Sequence, residues 1–369
     1  MNERRDRVLF LDALRGLAVL LMMEQHLGVW LWRGPSPGER TPTLLLGFNA
    51  LGGMAAPLFV TLAGCGAALA VSRARESAGA MDLRSVRRGL VLMGFGYLLS
   101  WLTPSWFTTR SWFVLHMMGF AFTLTPLWRR LPTGGLLGLA AAVIAATPIV
   151  QQWMGTPRML TNDRMALKPP YEALAGGHLR VALLEGQFPI LPWLALFLVG
   201  MVVGRRVAAG DFVGIRRLAK QVLAIGVGLA MIGYAGRYAP GLGFLAEGGW
   251  RRLVGLPLGF FPATSAVITL LMGGVLWLVV FAAAISERAP IDGRSWWVCL
   301  GRASLTLLLV HVVLFRELTR PIGLWQAMSA EAALAIIGAW LLACVLLARV
   351  WARVGFRFGA EWLLRRVAG

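Results

Sequence analysis

The sequence is poor in the residues that most catalytic and metal chemistries draw on. Among 369 residues there are 4 His, 3 Cys and 17 Asp+Glu, and only 14% of the chain is charged. No two histidines stand at H-x-x-x-H spacing and the cysteines are scattered, so neither a metal site nor a disulfide framework is expected. A P-loop, a G-x-S-x-G elbow and a G-x-G-x-x-G turn after a strand are all missing, which removes the common nucleotide-binding and serine-hydrolase readings. No polar stretch of domain length exists either, so a soluble domain is excluded.

What is present is hydrophobicity. Apolar residues make up 58% of the chain and mean hydropathy is +0.69. That balance belongs to an all-α, polytopic transmembrane helical bundle, read as one integral-membrane domain over residues 1–369. About ten spans are expected, at 8–31, 44–71, 89–102, 112–127, 134–150, 188–203, 221–235, 264–285, 297–315 and 330–350. The 36 Lys+Arg give a formal net charge of +19. They fall in short clusters between apolar runs rather than on one arm, so membrane lipids are expected as partners and nucleic acid is not. With the N-terminus in the cytoplasm most of them lie inside, which predicts an N-in, C-in protein. Arg4, Arg5 and Arg7 precede a run with charges and no small-residue cleavage site, so the segment is expected to be retained. The LAGC ending at Cys65 lies within the second span and is read as chance.

Chemistry then has to come from the few polar groups inside apolar runs. The run LDALRGLAVLLMMEQH, 11–26, carries Asp12, Arg15, Glu24 and His26. At about 100° per residue, Arg15 and His26 return to nearly the same helix face, about 16 Å apart along the axis. Asp12 sits one turn before Arg15 on that face and Glu24 points away. A charge at a helix centre costs roughly 2.5–3.5 kcal/mol on insertion scales, so such groups face a cavity or a partner. Asp12 and Arg15 are therefore either a structural ion pair or part of a site. In the expected topology His26, His116, His178 and His311 all fall on the outer side. The run GRASLTLLLVH sets Ser304 and His311 seven residues apart on one face, with His311 either catalytic or hydrogen-bonded within the bundle. The long outer connection, 151–187, holds Asn162, Asp163, Arg164, Tyr171, Glu172 and His178 and reads as a lid, an acceptor-binding segment or a linker. Gly200 and Gly204 form a G-x-x-x-G expected to let two helices approach closely.

The R-x10-H spacing from Arg15 to His26 resembles the first-span signature of integral-membrane acyltransferases. Together with APLFVTLAG at 56–64, FPILPWLALFLVGMVVGR at 188–205 and LGRASLTLLLVH at 300–311, in that order, it is similar to the heparan-alpha-glucosaminide N-acetyltransferase-like bacterial family. The resemblance implies a multi-span enzyme of the bacterial inner membrane with acetyl-CoA (acyl-CoA) as co-substrate and no metal. The acyl group would pass to an amine or hydroxyl of a sugar or glycan acceptor on the far side. In lysosomal members the histidine regarded as catalytic lies in the loop before the second span. Here residues 33–48 contain none, which leaves His26 as the candidate from that part of the chain.

On this reading His26 is the general base, or carries the acyl group, because neutral imidazole suits proton abstraction near pH 7. His311 and His116 would orient the acceptor or assist proton transfer. Asp12 and Arg15 would hold the first span or line the channel for the donor. Arg84, Arg87, Arg88, Arg205 and Arg206, in inner loops, would meet the donor's phosphates or lipid headgroups. Trp106, Trp112 and Trp193 would stack on a sugar ring or belong to an interfacial belt. A transporter or flippase for a sugar-linked or small metabolite would use the same buried charges and stays open as the alternative.

Overall fold

The computed structural model of the chain describes residues 8–36, 38, 40–74, 76–156, 177–254 and 260–369. Among them only two isolated β-bridges interrupt an otherwise helical fold. In chain order the helices are α1 (Leu9–Leu31), α2 (Thr43–Gly52), α3 (Ala55–Arg73), α4 (Ala78–Leu102), α5 (Val114–Thr123), α6 (Thr125–Trp128), α7 (Thr133–Trp153) and α8 (Gly177–Arg180). They continue as α9 (Ile190–Ala208), α10 (Phe212–Tyr238), α11 (Gly248–Val254), α12 (Ser265–Arg288), α13 (Trp296–Arg302), α14 (Ser304–Val312), α15 (Ala330–Arg353) and α16 (Ala360–Ala368). A π-helical turn, Val313–Leu318, extends α14.

The ends follow ordinary capping chemistry. The hydroxyls of Ser77 and Ser329 and the carboxylate of Asp211 accept from the third backbone N–H of α4, α15 and α10. Proline precedes α7 and α9, at Pro132 and Pro189.

Six helices are long and apolar enough to cross a membrane, or seven when α13 and the helix after it count as one bent span. The span at 44–71 is α2 and α3 together, with a turn at Gly53 and Met54, and is one of the six. The one at 297–315 is interrupted at Ala303, where the two pieces are bent by 71°. The span at 112–127 is the ten-residue α5 followed by a single turn, and the one at 89–102 is the second half of the 25-residue α4.

The chain divides into two compact units, with boundaries inside α3 and α12. The first unit is Met1–Phe59 with Leu278–Arg366 and the second is Val60–Trp277 with Val367–Gly369. In the first unit α1 is the central helix and packs on α2, α13, α14 and α15. Its close approach to α13 depends on two glycines: a Cβ on Gly16 would fall onto the Trp297 carbonyl, and one on Gly301 onto the Asp12 carbonyl. Leu27 and Leu31 of α1 meet Leu45 of α2 and Ala333 and Ile337 of α15 in a buried cluster. After the π-turn the chain runs back along the end of α1. There the Met328 N–H donates to Leu31, Arg33 to Met328 and Gln326 to Trp30, in a short parallel clasp.

In the second unit α9 is buried on every side from Pro192 to Gly204, as expected of a helix apolar all round. Gly200 and Gly204 lie against the carbonyls of Thr61 and Cys65 in α3, the close packing their spacing anticipated. Gly89 and Gly119 do the same between α4 and α5, and Gly226 and Gly273 between α10 and α12.

Candidate active site

Within the first unit the structure brings His26 and His311 together. His26 sits near the end of α1 and His311 near the end of α14, and the His26 Nδ1 to His311 Nε2 distance is 2.9 Å. His311 Nδ1 is 2.8 Å from the carbonyl of Leu307, one turn back on its own helix. These two contacts assign the protons. A carbonyl only accepts, so His311 carries its hydrogen on Nδ1 and presents a lone pair at Nε2. That lone pair accepts from His26 Nδ1–H, which leaves the basic lone pair of the chain on His26 Nε2. His311 is fully buried, whereas His26 is partly exposed.

Trp30, one turn beyond His26, holds both imidazoles in place. Its ring stacks on His26 at 4.7 Å and on His311 at 5.8 Å between centroids. Trp325, carried by the clasp segment, reaches Trp30 at 6.4 Å. Over the Trp325 ring lie two guanidiniums, Arg316 at 4.0 Å and Arg320 at 4.1 Å. Sequence reasoning missed Trp30, Trp325, Arg316 and Arg320. Trp30 stands four residues from His26, the helical step that stacks rings, and Arg316 is a charge at the edge of an apolar run. Trp325 and Arg320 leave no such signal, because a tertiary clasp brings them in.

At the other end of α1, Asp12 is buried between two arginines. Arg15 Nη1 lies 2.5 Å from Oδ1, and Arg302 Nε lies 3.5 Å from Oδ2. Arg302 also donates to the Gly293 carbonyl. Glu24, on the face of α1 away from His26, is buried with neither carboxyl oxygen hydrogen-bonded among the described residues.

The other histidines belong to the second unit. His116, in α5, is fully buried. Its Nδ1 accepts from the Phe113 N–H, and Gly96 leaves the space its Nε2 fills. Trp112 stacks on it at 5.5 Å and Tyr97 meets it edge-on at 4.6 Å. Tyr97 Oη is 3.4 Å from His178 Nε2. Trp106, Trp112 and Trp193 are buried against Phe107, His116 and Phe188, so protein already occupies ring faces read as open to a sugar. Asn162, Asp163, Arg164, Tyr171 and Glu172 of the long connection lie outside the described residues.

The inner-loop arginines are placed as follows. Arg84 pairs with Glu76 at 2.5 Å on the exposed start of α4, Arg87 is exposed, and Arg88 lies 4.9 Å over the Phe122 ring. Arg205 donates to the carbonyls of Leu131 and Arg129 at 2.8 and 3.1 Å, and Arg206 donates to the Gly214 carbonyl and pairs with Asp211. Among the described residues no three His, Cys, Asp or Glu converge.

Compared with known proteins, the chain matches one family model, described as heparan-alpha-glucosaminide N-acetyltransferase, catalytic, over residues 7–235. That is more than half of its length. It includes His26 and stops short of His311. No curated protein matches the chain.

Proposed function

The chain belongs to the heparan-alpha-glucosaminide N-acetyltransferase catalytic family, and from that premise we propose that it transfers an acetyl group from acetyl-CoA to an amine or hydroxyl of a glycan. The donor is cytoplasmic, the acceptor lies on the outer side, and the protein is a single multi-pass domain of a bacterial inner membrane.

The observation that carries the reading is the ordered pair of imidazoles. A sugar amine or hydroxyl is a poor nucleophile until its proton has somewhere to go. His26 Nε2 takes that proton as the acceptor's nitrogen or oxygen attacks the thioester carbonyl. The carbon–sulfur bond then breaks, and the CoA thiolate leaves with the proton that His26 returns. Throughout, His311 keeps His26 in the competent tautomer, and Leu307 does the same for His311. His311 is thus a positioning residue, one shell behind a base that touches substrate. The arrangement plays the part a carboxylate plays behind other catalytic histidines, with a backbone carbonyl as its anchor.

The test uses purified protein in detergent. Acetyl-CoA at a hundred times its Kd should raise unfolding stability by about 2.7 kcal/mol. His26→Gln should keep that shift while thiol release with an accepted glycan amine falls by about 10²–10⁴-fold. His311→Ala should lower kcat more than KM and move the pH–rate profile, because a methyl group offers no acceptor to fix the His26 Nδ1 proton. A protein shown to be folded that gains nothing from acetyl-CoA would overturn the assignment and favour transport.

A further inference from the structure

Arg316, Arg320 and Trp325 form a second built feature of the first unit, next to the imidazole pair and unused by the chemistry above. Arg316 is 2% exposed and Arg320 partly buried, and both guanidiniums face the same indole at about 4 Å. Each cation gains from the ring, but the two repel one another in surroundings where charge is poorly screened. Arg320 lies near enough to Arg316 to repel it, and Glu317 near enough to attract it. Arg320 Nε has no hydrogen-bond partner among the described residues.

The ring that both guanidiniums meet is held firmly. Gln326, directly after Trp325, adopts φ 50, a left-handed conformation that costs a non-glycine residue energy. Three contacts to α1 hold that conformation in place. The Gln326 N–H donates to Trp30 O at 2.8 Å, its amide to Val29 O at 3.2 Å, and Met328 N–H to Leu31 O at 2.9 Å. A strained residue pinned in this way fixes Trp325 against Trp30, two ring steps from His26.

We propose that Arg316, Arg320 and Trp325 form an oxyanion subsite that binds a phosphate or carboxylate carried by the acyl acceptor, and so orients its nucleophile at His26. The inference rests on the acyltransferase reading. Planar guanidiniums suit bidentate contact with such anions. The acceptor is favoured over the donor by reach. The pantetheine arm separates the phosphates of CoA from its thioester, whereas Trp325 packs on Trp30, the ring that stacks on His26.

The experiment follows thermal unfolding of the full chain in detergent, titrated with glucosamine 6-phosphate, glucosamine, inorganic phosphate and acetyl-CoA. Wild type should respond to glucosamine 6-phosphate at concentrations about tenfold or more below those needed for glucosamine, the yield of one charge-assisted contact. Arg320→Gln should erase that preference, Arg320→Lys should restore part of it, and neither should alter the acetyl-CoA titration. Equal responses to the two sugars, or to inorganic phosphate and the phosphosugar, would overturn the proposal. So would loss of acetyl-CoA binding in Arg320→Gln, which would give the arginines to the donor. Wild type that ignores acetyl-CoA would instead sink the acyltransferase reading, while the anion titrations stay interpretable.

Discussion

At the scale of single residues, α1 carries two sets of polar groups with different work to do. Asp12 at one end pairs with Arg15 and Arg302; His26 at the other meets His311. Removing the Asp12 carboxylate strands two guanidiniums beside a membrane helix. Asp12→Ala is expected to cost about 2–3 kcal/mol, toward the lower end for a buried ion pair because both arginines keep some solvent contact. A lowered unfolding midpoint, with acetyl-CoA binding unchanged in the protein that remains folded, would show it. His26 and His311 were legible in the sequence because an ionisable group in an apolar run is costly and therefore informative. That Asp12 and Arg15 lie within reach of one another was also legible, from their three-residue spacing, and the two are paired. What the sequence did not carry was Arg302 as the third member, since it lies far along the chain from Arg15 and only the α1–α13 packing brings it near.

At the scale of elements, the helices were easier to find than their breaks. Local signals for both breaks were present, a Gly52-Gly53 pair four residues before Pro57 and the polar Arg302 and Ser304 on either side of Ala303, but each is outweighed in an average over the apolar run around it. Packing adds a constraint on α13 that the pattern does not carry: a Cβ on Gly16 or Gly301 would meet the backbone of the other helix. Outside the spans, α4 is tied to the end of α6 by Asp82, which accepts from Arg129 Nε at 2.5 Å and Nη2 at 2.9 Å. The hydrogen bond from Arg129 holds the Asp82 carboxyl below its ordinary value. Folded protein therefore binds this proton less readily than unfolded chain. The contribution to stability is complete above the unfolded value of about 3.9 and is lost as pH falls through the lower folded value. Unfolding midpoints of wild type and Asp82→Asn should thus differ near neutrality and converge in acid. Curves that stay parallel would mean the pair adds nothing.

At the scale of the whole molecule, composition alone indicated an all-helical membrane protein, and the fold is one. The division into two units was not legible, because its boundaries fall inside apolar helices where no linker composition marks them. The N-in, C-in arrangement we propose requires an even number of crossings. A compartment-sensitive reporter fused in turn to each terminus should read the cytoplasm both times; opposite readings would overturn the proposed sidedness of donor and acceptor.

The break at Ala303 has an electrostatic consequence. Splitting one helix into two creates two new ends, a partial negative charge where α13 stops and a partial positive charge where α14 starts. Each has its own countercharge. Arg302 stands in the last turn of α13, and the Glu361 carboxylate accepts from the first free N–H groups of α14, at Leu305 and Thr306, and from the Thr306 hydroxyl. A continuous helix would take these N–H groups from Glu361, whereas Arg302 keeps Asp12 and the Gly293 carbonyl. The bend before His311 is therefore held from the α14 side, by a carboxylate that a straight helix would leave without its backbone donors.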